Sequence, residues 1–315
     1  MDTVNRASDI FTHDERADLR QHSAWRSTWM ILHCWGTIVL TWVLVALWTN
    51  PLTILLGIMV IGTRQLGLAI LGHDGAHYLL YRNKSVNDWV CEWLLNRPLF
   101  GASIDPYRRV HLQHHRSTQQ PDDPDLHLSK PFPITKSSFR RKVIRDLTGQ
   151  TAWKQRKALV RHAFGQPGDP WPDRLARGWR RLGPNLLINV ALLAGFTLAG
   201  YWYLYFLLWV VPSFTWEALV TRLRNIGEHA AVPDNDDRLR NTRTTLANPI
   251  ERLLIAPYFV NYHLEHHLLV SCPCYRLPRA HRMLVDKGLA PRMEIKRSYL
   301  DMLRHTVSRP EAEFA

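Results

Sequence analysis

The chain has 315 residues, with 40 Lys and Arg against 27 Asp and Glu, and a formal net charge of +13. That length holds one large domain or two ordinary ones, and the charge points to nucleic acid, an anionic membrane surface or acidic protein partners. Thirteen tryptophans favour the membrane, because Trp gathers at bilayer interfaces, while Cys34, Cys91, Cys272 and Cys274 contain no CxxC pair and supply no disulfide framework.

Residues 1–28 are charged, show no secretory signal and read as a cytosolic lead-in. A first span is expected over about 29–49, since Trp29 to Trp48 contains no charged residue and about 20 apolar residues cross a bilayer as a helix. Asn50-Pro51 is a turn signal, and a second apolar run over 52–72 makes a hairpin that returns to the starting side at His73. Residues 81–183 are predominantly polar and basic. Within them Val86 to Leu95 is amphipathic and is expected along the membrane surface. Tyr107 to His115 is expected as a short helix. Lys136 to Arg161 is expected as an interfacial or solvent-facing helix and lacks an aromatic-basic motif for nucleic acid. A second apolar block, broken near Gly200-Tyr201, fits two shorter spans, 184–200 and 201–221. One long span plus a surface segment is the rival reading. The outer turns near Asn50-Pro51 and Gly200 lack Lys and Arg, so the positive-inside rule assigns 1–28, 81–183 and 222–315 to the cytosol. The expected fold is an all-α integral membrane domain over 1–315, with two transmembrane helical hairpins (four spans) and a cytosolic helical cap.

Histidines recur at helical spacing at the end of the second span and in the segments assigned to that cap. His73 and His77 lie one turn apart, as do Asn225 and His229, and His111, His114 and His115 share the spacing of His263, His266 and His267. Such positions share a helix face, and imidazole is the commonest neutral ligand for transition metals. Nine imidazoles exceed one tetrahedral zinc. They suit two metals with four or five nitrogen ligands each, and zinc, copper, iron and nickel all accept such donors. A zinc hydrolase built on His73-Asp74-Gly75-Ala76-His77 leaves both HxxHH clusters unexplained. A metal transporter or haem-binding membrane protein would set its histidines across the bilayer core. His13, His22, His127, His162, His281 and His305 read as surface residues, and His33 as interfacial. Asp74, Asp123, Asp125, Glu228 and Glu265 are the carboxylates expected to orient ligating imidazoles. Arg64 and Glu217 are charges inside apolar segments, expected at similar depth and either paired or lining the mouth of a substrate tunnel.

Taken in order, Gly72-His73-Asp74-Gly75-Ala76-His77, His111-Leu112-Gln113-His114-His115, Asn225-Ile226-Gly227-Glu228-His229 and Asn261-Tyr262-His263-Leu264-Glu265-His266-His267 closely resemble the membrane fatty acid desaturase and hydroxylase superfamily. The resemblance covers about Gly72 to His267. It implies a di-iron centre held by the nine histidines, with Asn225 acting through a metal-bound water. It also implies dioxygen as co-substrate and two electrons from a separate ferredoxin- or cytochrome-like donor with its reductase, since no cytochrome-like HPGG segment occurs. The implied reaction desaturates an acyl chain of a fatty acid or membrane lipid. Hydroxylation or ketolation of a lipid or carotenoid is the alternative. No nucleic-acid partner is expected.

Overall fold

The computed structural model describes residue 4 and residues 6–311. Four helices are long and apolar enough to cross a bilayer: α1 (Ala24–Leu47), α2 (Pro51–Ala76), α6 (Trp171–Leu198) and α7 (Trp202–His229). The four expected spans are therefore present as helices, and the third starts earlier than expected. Residues Trp171 to Gly183 continue α6 as a basic extension, and Pro184 lies inside the helix rather than starting it. The α1–α2 turn is set locally. The Asn50 side chain accepts from the Leu52 and Thr53 N–H groups, Thr53 reciprocates on the Asn50 N–H, and Pro51 takes the first helical position.

Helix α2 is the axis of the molecule. It packs on both α1 and α7, and its residues Gly62 to Ala76 are almost continuously buried. A methyl group at Gly62 would meet the Glu217 backbone nitrogen and the Trp216 Cβ at 3.0 Å, so α7 approaches α2 at backbone distance there. Helices α1 and α6 instead expose apolar side chains, among them Leu40, Leu47, Leu187 and Val190, as lipid-facing helices do. Helix α7 is interrupted by a π-turn at Phe206–Val210 and by a break at Thr215. Asn189 of α6 accepts from Tyr205 Oη at 3.1 Å and Trp209 Nε1 at 3.0 Å, which fixes the second hairpin.

The remaining elements cover one end of this bundle. Helix α3 (Ile104–Arg116) carries the second histidine group, and α8 (His263–Leu268) the last. The basic stretch expected as a single helix is two, α4 (Lys136–Leu147) and α5 (Gln150–Ala163). Gly149, with φ of +77°, makes the corner between them. The amphipathic 86–95 region is a helix, Lys84–Val90, followed by a π-turn over Cys91–Asn96. Trp89 and Trp93 face outward and Val90 and Leu95 inward. A two-stranded parallel pair, β1 (Thr244–Thr245) with β2 (Ile295–Lys296), ties the segment after α7 to the C-terminal region.

Candidate metal centre

Each histidine group sits where a helix ends at the covered end of the bundle, and buried arginines hold two of those ends. At the end of α2, Arg108 Nε donates to the Ala76 carbonyl at 2.9 Å, and its Nη2 meets Asp88 at 2.5 Å. At the end of α7, fully buried Arg243 donates to the carbonyls of Ile226 and Ala231 and pairs with Glu294 at 3.0 Å. Both satisfy terminal carbonyls and set a cation against the negative end of a helix dipole. Asn261 donates to the Thr245 carbonyl at 3.0 Å, anchoring the start of α8 to β1. Arg108 and Arg243 escape sequence reasoning because their partners are carbonyls of distant segments. Only the Arg108–His111 spacing places Arg108 on the histidine face of α3.

The nine imidazoles converge on two adjacent groups. His73, His77, His111, His115 and His266 form one, and His114, His229, His263 and His267 the other, with the donor atoms of each group within 4.8 Å of one another. The groups adjoin, since the His115 and His267 ring centroids are 4.2 Å apart. His77 and His229 are half-buried and the other seven buried. In the first group the Nε2 atoms of His77 and His115 each lie 2.9 Å from His111 Nε2, and His266 Nε2 lies 3.1 Å from His115 Nε2. In the second, His263 Nε2 and His229 Nε2 are 2.9 Å apart. A neutral imidazole offers one N–H and one lone pair, so a run of facing Nε2 atoms cannot satisfy itself by hydrogen bonding. The Nε2 atoms of His73 and His267 are buried with no protein partner. Converging lone pairs and orphaned nitrogens are what a pair of cations would satisfy, so this donor set fits two metal ions.

The protonation states agree. Burial, reinforced by neighbouring imidazoles, pushes His111, His115, His263, His266 and His267 well below the ordinary imidazole value. Burial, with the Arg108 charge, brings His77 down to about 4. These rings are neutral near pH 7, the state in which imidazole binds metal.

The expected carboxylates divide. Asp123 Oδ1 accepts from His114 Nδ1 at 2.8 Å and is itself fixed by the Asp125 N–H, while its Oδ2 accepts the Gln119 N–H. Burial opposes its charge, but these hydrogen bonds outweigh that and hold it below the ordinary aspartate value. Glu228 Oε1 lies 3.4 Å from His263 Nδ1 and pairs with Arg224 at 2.5 Å. Asp125 stands 4.0 Å from His114 Nδ1, and Asp74 3.9 Å from His73 Nδ1. Asp74 instead accepts the Cys274 N–H at 2.9 Å, bringing the Cys272-Pro273-Cys274 loop to the end of α2. Glu265 hydrogen-bonds outside the nine rings. It accepts from Thr244 Oγ1 at 2.5 Å and from His281 Nδ1 at 2.6 Å. His281 is therefore not a free surface residue, because it hydrogen-bonds a buried carboxylate. His22 is half-buried, whereas His13, His127, His162, His305 and His33 are exposed.

Arg64 and Glu217 take separate partners. Arg64 Nη2 donates to the Leu253 carbonyl at 3.0 Å and its guanidinium lies over the Tyr258 ring, while Glu217 accepts from Thr221 Oγ1 at 3.0 Å. Arg64 and Glu217 are thus held by different partners, which similar depth alone could not reveal. Glu217 and Arg156 line one small cavity beside α2. Asn225 lines a cavity of about 320 Å³ beside both histidine groups. Tyr107, unforeseen from the sequence, lines the same cavity and stacks on His111, with ring centroids 5.5 Å apart and planes 5° from parallel.

A family model described as fatty acid desaturase matches residues 49–296. The chain is 27% identical over 265 residues to dihydrorhizobitoxine desaturase from Bradyrhizobium elkanii, covering 81% of this chain and 72% of that protein. It is 24% identical over 255 residues to a beta-carotene ketolase from Paracoccus sp., covering 77% of this chain and 88% of that protein.

Proposed function

This chain belongs to the fatty acid desaturase family, and from that premise we propose that it is a membrane-bound di-iron oxidoreductase that uses dioxygen and two electrons to desaturate an alkyl chain of a fatty acid or lipid. The observation that carries this reading is the convergence of nine imidazoles on two adjoining sites. Two iron ions with dioxygen would supply the oxidant that an unactivated C–H bond requires and that no side chain provides. His73, His77, His111, His115 and His266 would hold one ion, and His114, His229, His263 and His267 the other, with Asn225 reaching the second through water.

The protein's own work is orientation and exclusion. Asp123 fixes the ring of His114, Glu228 with Arg224 steadies that of His263, and Thr118 Oγ1 meets His267 Nδ1 at 3.1 Å. Tyr107, Val110 and Leu128 line the cavity beside both groups and limit water at the reacting carbon. The basic chain suits a separate acidic ferredoxin- or cytochrome-like donor, approaching from the cytosolic side on which the positive-inside rule sets the histidines. Ketolation or hydroxylation of a lipid or carotenoid is the second reading, favoured by the similarity to a beta-carotene ketolase.

Lipid and metabolite profiling of cells expressing the chain, beside a His266→Ala control, tests this. Desaturation gives a product lighter by two hydrogens that is absent from the control. A product that has gained oxygen transfers the assignment to the second reading, and identical profiles refute both.

A further inference from the structure

Helix α5 packs on the basic first half of α6, and an open groove of about 1340 Å³ runs between them. The corner is held by close approaches. A methyl group at Gly178 would meet the Phe164 ring at 2.7 Å, and one at Gly165 would meet the Arg177 guanidinium at 2.7 Å. Arg177 also pairs with Asp169, and Arg181 Nη1 donates to the His162 carbonyl at 2.8 Å. Lys154, Lys157 and Arg161 from α5 and Arg174, Arg177 and Arg181 from α6 line the groove, against Asp169 as the one acid in its lining. The buried Nε atoms of Arg174 and Arg177 have no hydrogen-bond partner among the described residues. Six cations facing one carboxylate across a concave surface call for an anion, and guanidinium forks match phosphate oxygens. Depth separates the candidate anions. Arg181 stands three residues before Pro184, where the apolar run of α6 begins, or about 4.5 Å of helical rise. The headgroup layer beyond the hydrocarbon is about 5–8 Å thick on each side, so one end of the groove opens within it. Trp153, Trp171 and Trp179 of the same two helices are exposed, and indoles gather at that depth. Cations and tryptophans together favour a lipid headgroup over an acidic protein.

We propose that the groove between α5 and α6 binds the headgroup phosphate of an anionic phospholipid, whose acyl chains lie beside exposed Leu186 and Leu187 of α6. The bound lipid is a structural ligand and not the substrate. Its effect reaches the interior through α5. Gln155 and Arg156 of that helix line the small cavity that also contains Tyr107, and Tyr107 lines the space beside the histidine groups as well. A lipid that pins α5 at the bilayer surface therefore fixes one wall of that cavity. The proposal does not depend on which metal the histidines hold.

The test takes the full-length protein, delipidated in a neutral detergent, and measures binding of phosphatidylglycerol and of phosphatidylcholine with the same acyl chains by native mass spectrometry. The expected result is that phosphatidylglycerol binds at least about tenfold tighter, as several basic side chains around one anionic headgroup imply. The triple variant Lys157→Gln, Arg161→Gln, Arg174→Gln should lose most of that preference. A second triple variant, Arg140→Gln, Arg141→Gln, Arg145→Gln, makes the same change of charge at exposed positions of α4 and should keep it. Should the groove variant fold poorly in a thermal melt, Arg161→Gln alone, at an exposed position, should still show part of the loss. Equal binding of the two lipids by the wild type, or an equal loss in groove and control variants, would overturn the proposal. Inorganic phosphate binding as tightly as phosphatidylglycerol would assign the groove to a free anion instead. An acidic ferredoxin that the groove variant no longer binds, with its lipid preference unchanged, would assign it to a protein, and either result also overturns the proposal.

Discussion

At the scale of single residues, the centre depends on imidazoles that are neutral and held in place. Asp123 makes the shortest carboxylate contact to a clustered ring, at 2.8 Å from His114 Nδ1. Asp123→Asn keeps the shape and removes the charge, so metal affinity at the His114 group should fall about 10–100-fold. Retained metal after graded chelation reads this directly, and an unchanged titration would remove Asp123 from the account. The depressed histidines also predict a pH dependence. An unfolded histidine takes up its proton near pH 6.5, whereas folded His77 does so only at about 4. The unfolded chain therefore binds more protons throughout that window, and the metal-free protein loses stability as pH falls from about 6.5 toward 4. A melting temperature of the metal-free protein that stays flat or rises over that range would contradict the burial described.

At the scale of elements, the contact of α2 with α7 sets the separation of the first histidine group from His229. Gly62 permits it, since any Cβ there meets α7 backbone at 3.0 Å. Gly62→Leu should destabilise the protein by about 1–3 kcal/mol through overpacking, whereas Gly36→Leu, with nothing within 4 Å of its Cβ position, should be nearly neutral. Thermal melts in one detergent compare the two, and equal effects would mean that α2 and α7 do not pack as described. The four long helices were readable from apolar length and the Asn50-Pro51 turn, because those signals are local. The start of α6 at Trp171 was not, because its first half is basic and helical beyond the apolar run. The division of 136–161 at Gly149 was missed because amphipathic spacing continues on both sides of a single glycine.

At the scale of the whole molecule, four segments far apart in sequence bring their histidines to one end of a helical bundle. Spacing at one helical turn was enough to nominate all nine, and the sharing of one side was readable from loop charge. The division into five and four was not, because His114 and His115 are neighbours in sequence yet serve different groups. Long-range pairings also lay beyond local pattern, as Arg243 on the end of α7 and His281 on Glu265 show. Elemental analysis of the purified protein decides whether these two groups hold the two irons proposed for them. About two irons per chain are expected, reduced to about one or fewer by His111→Ala in one group or His263→Ala in the other. A folded protein carrying a single zinc, or two irons undiminished in both variants, would contradict that assignment.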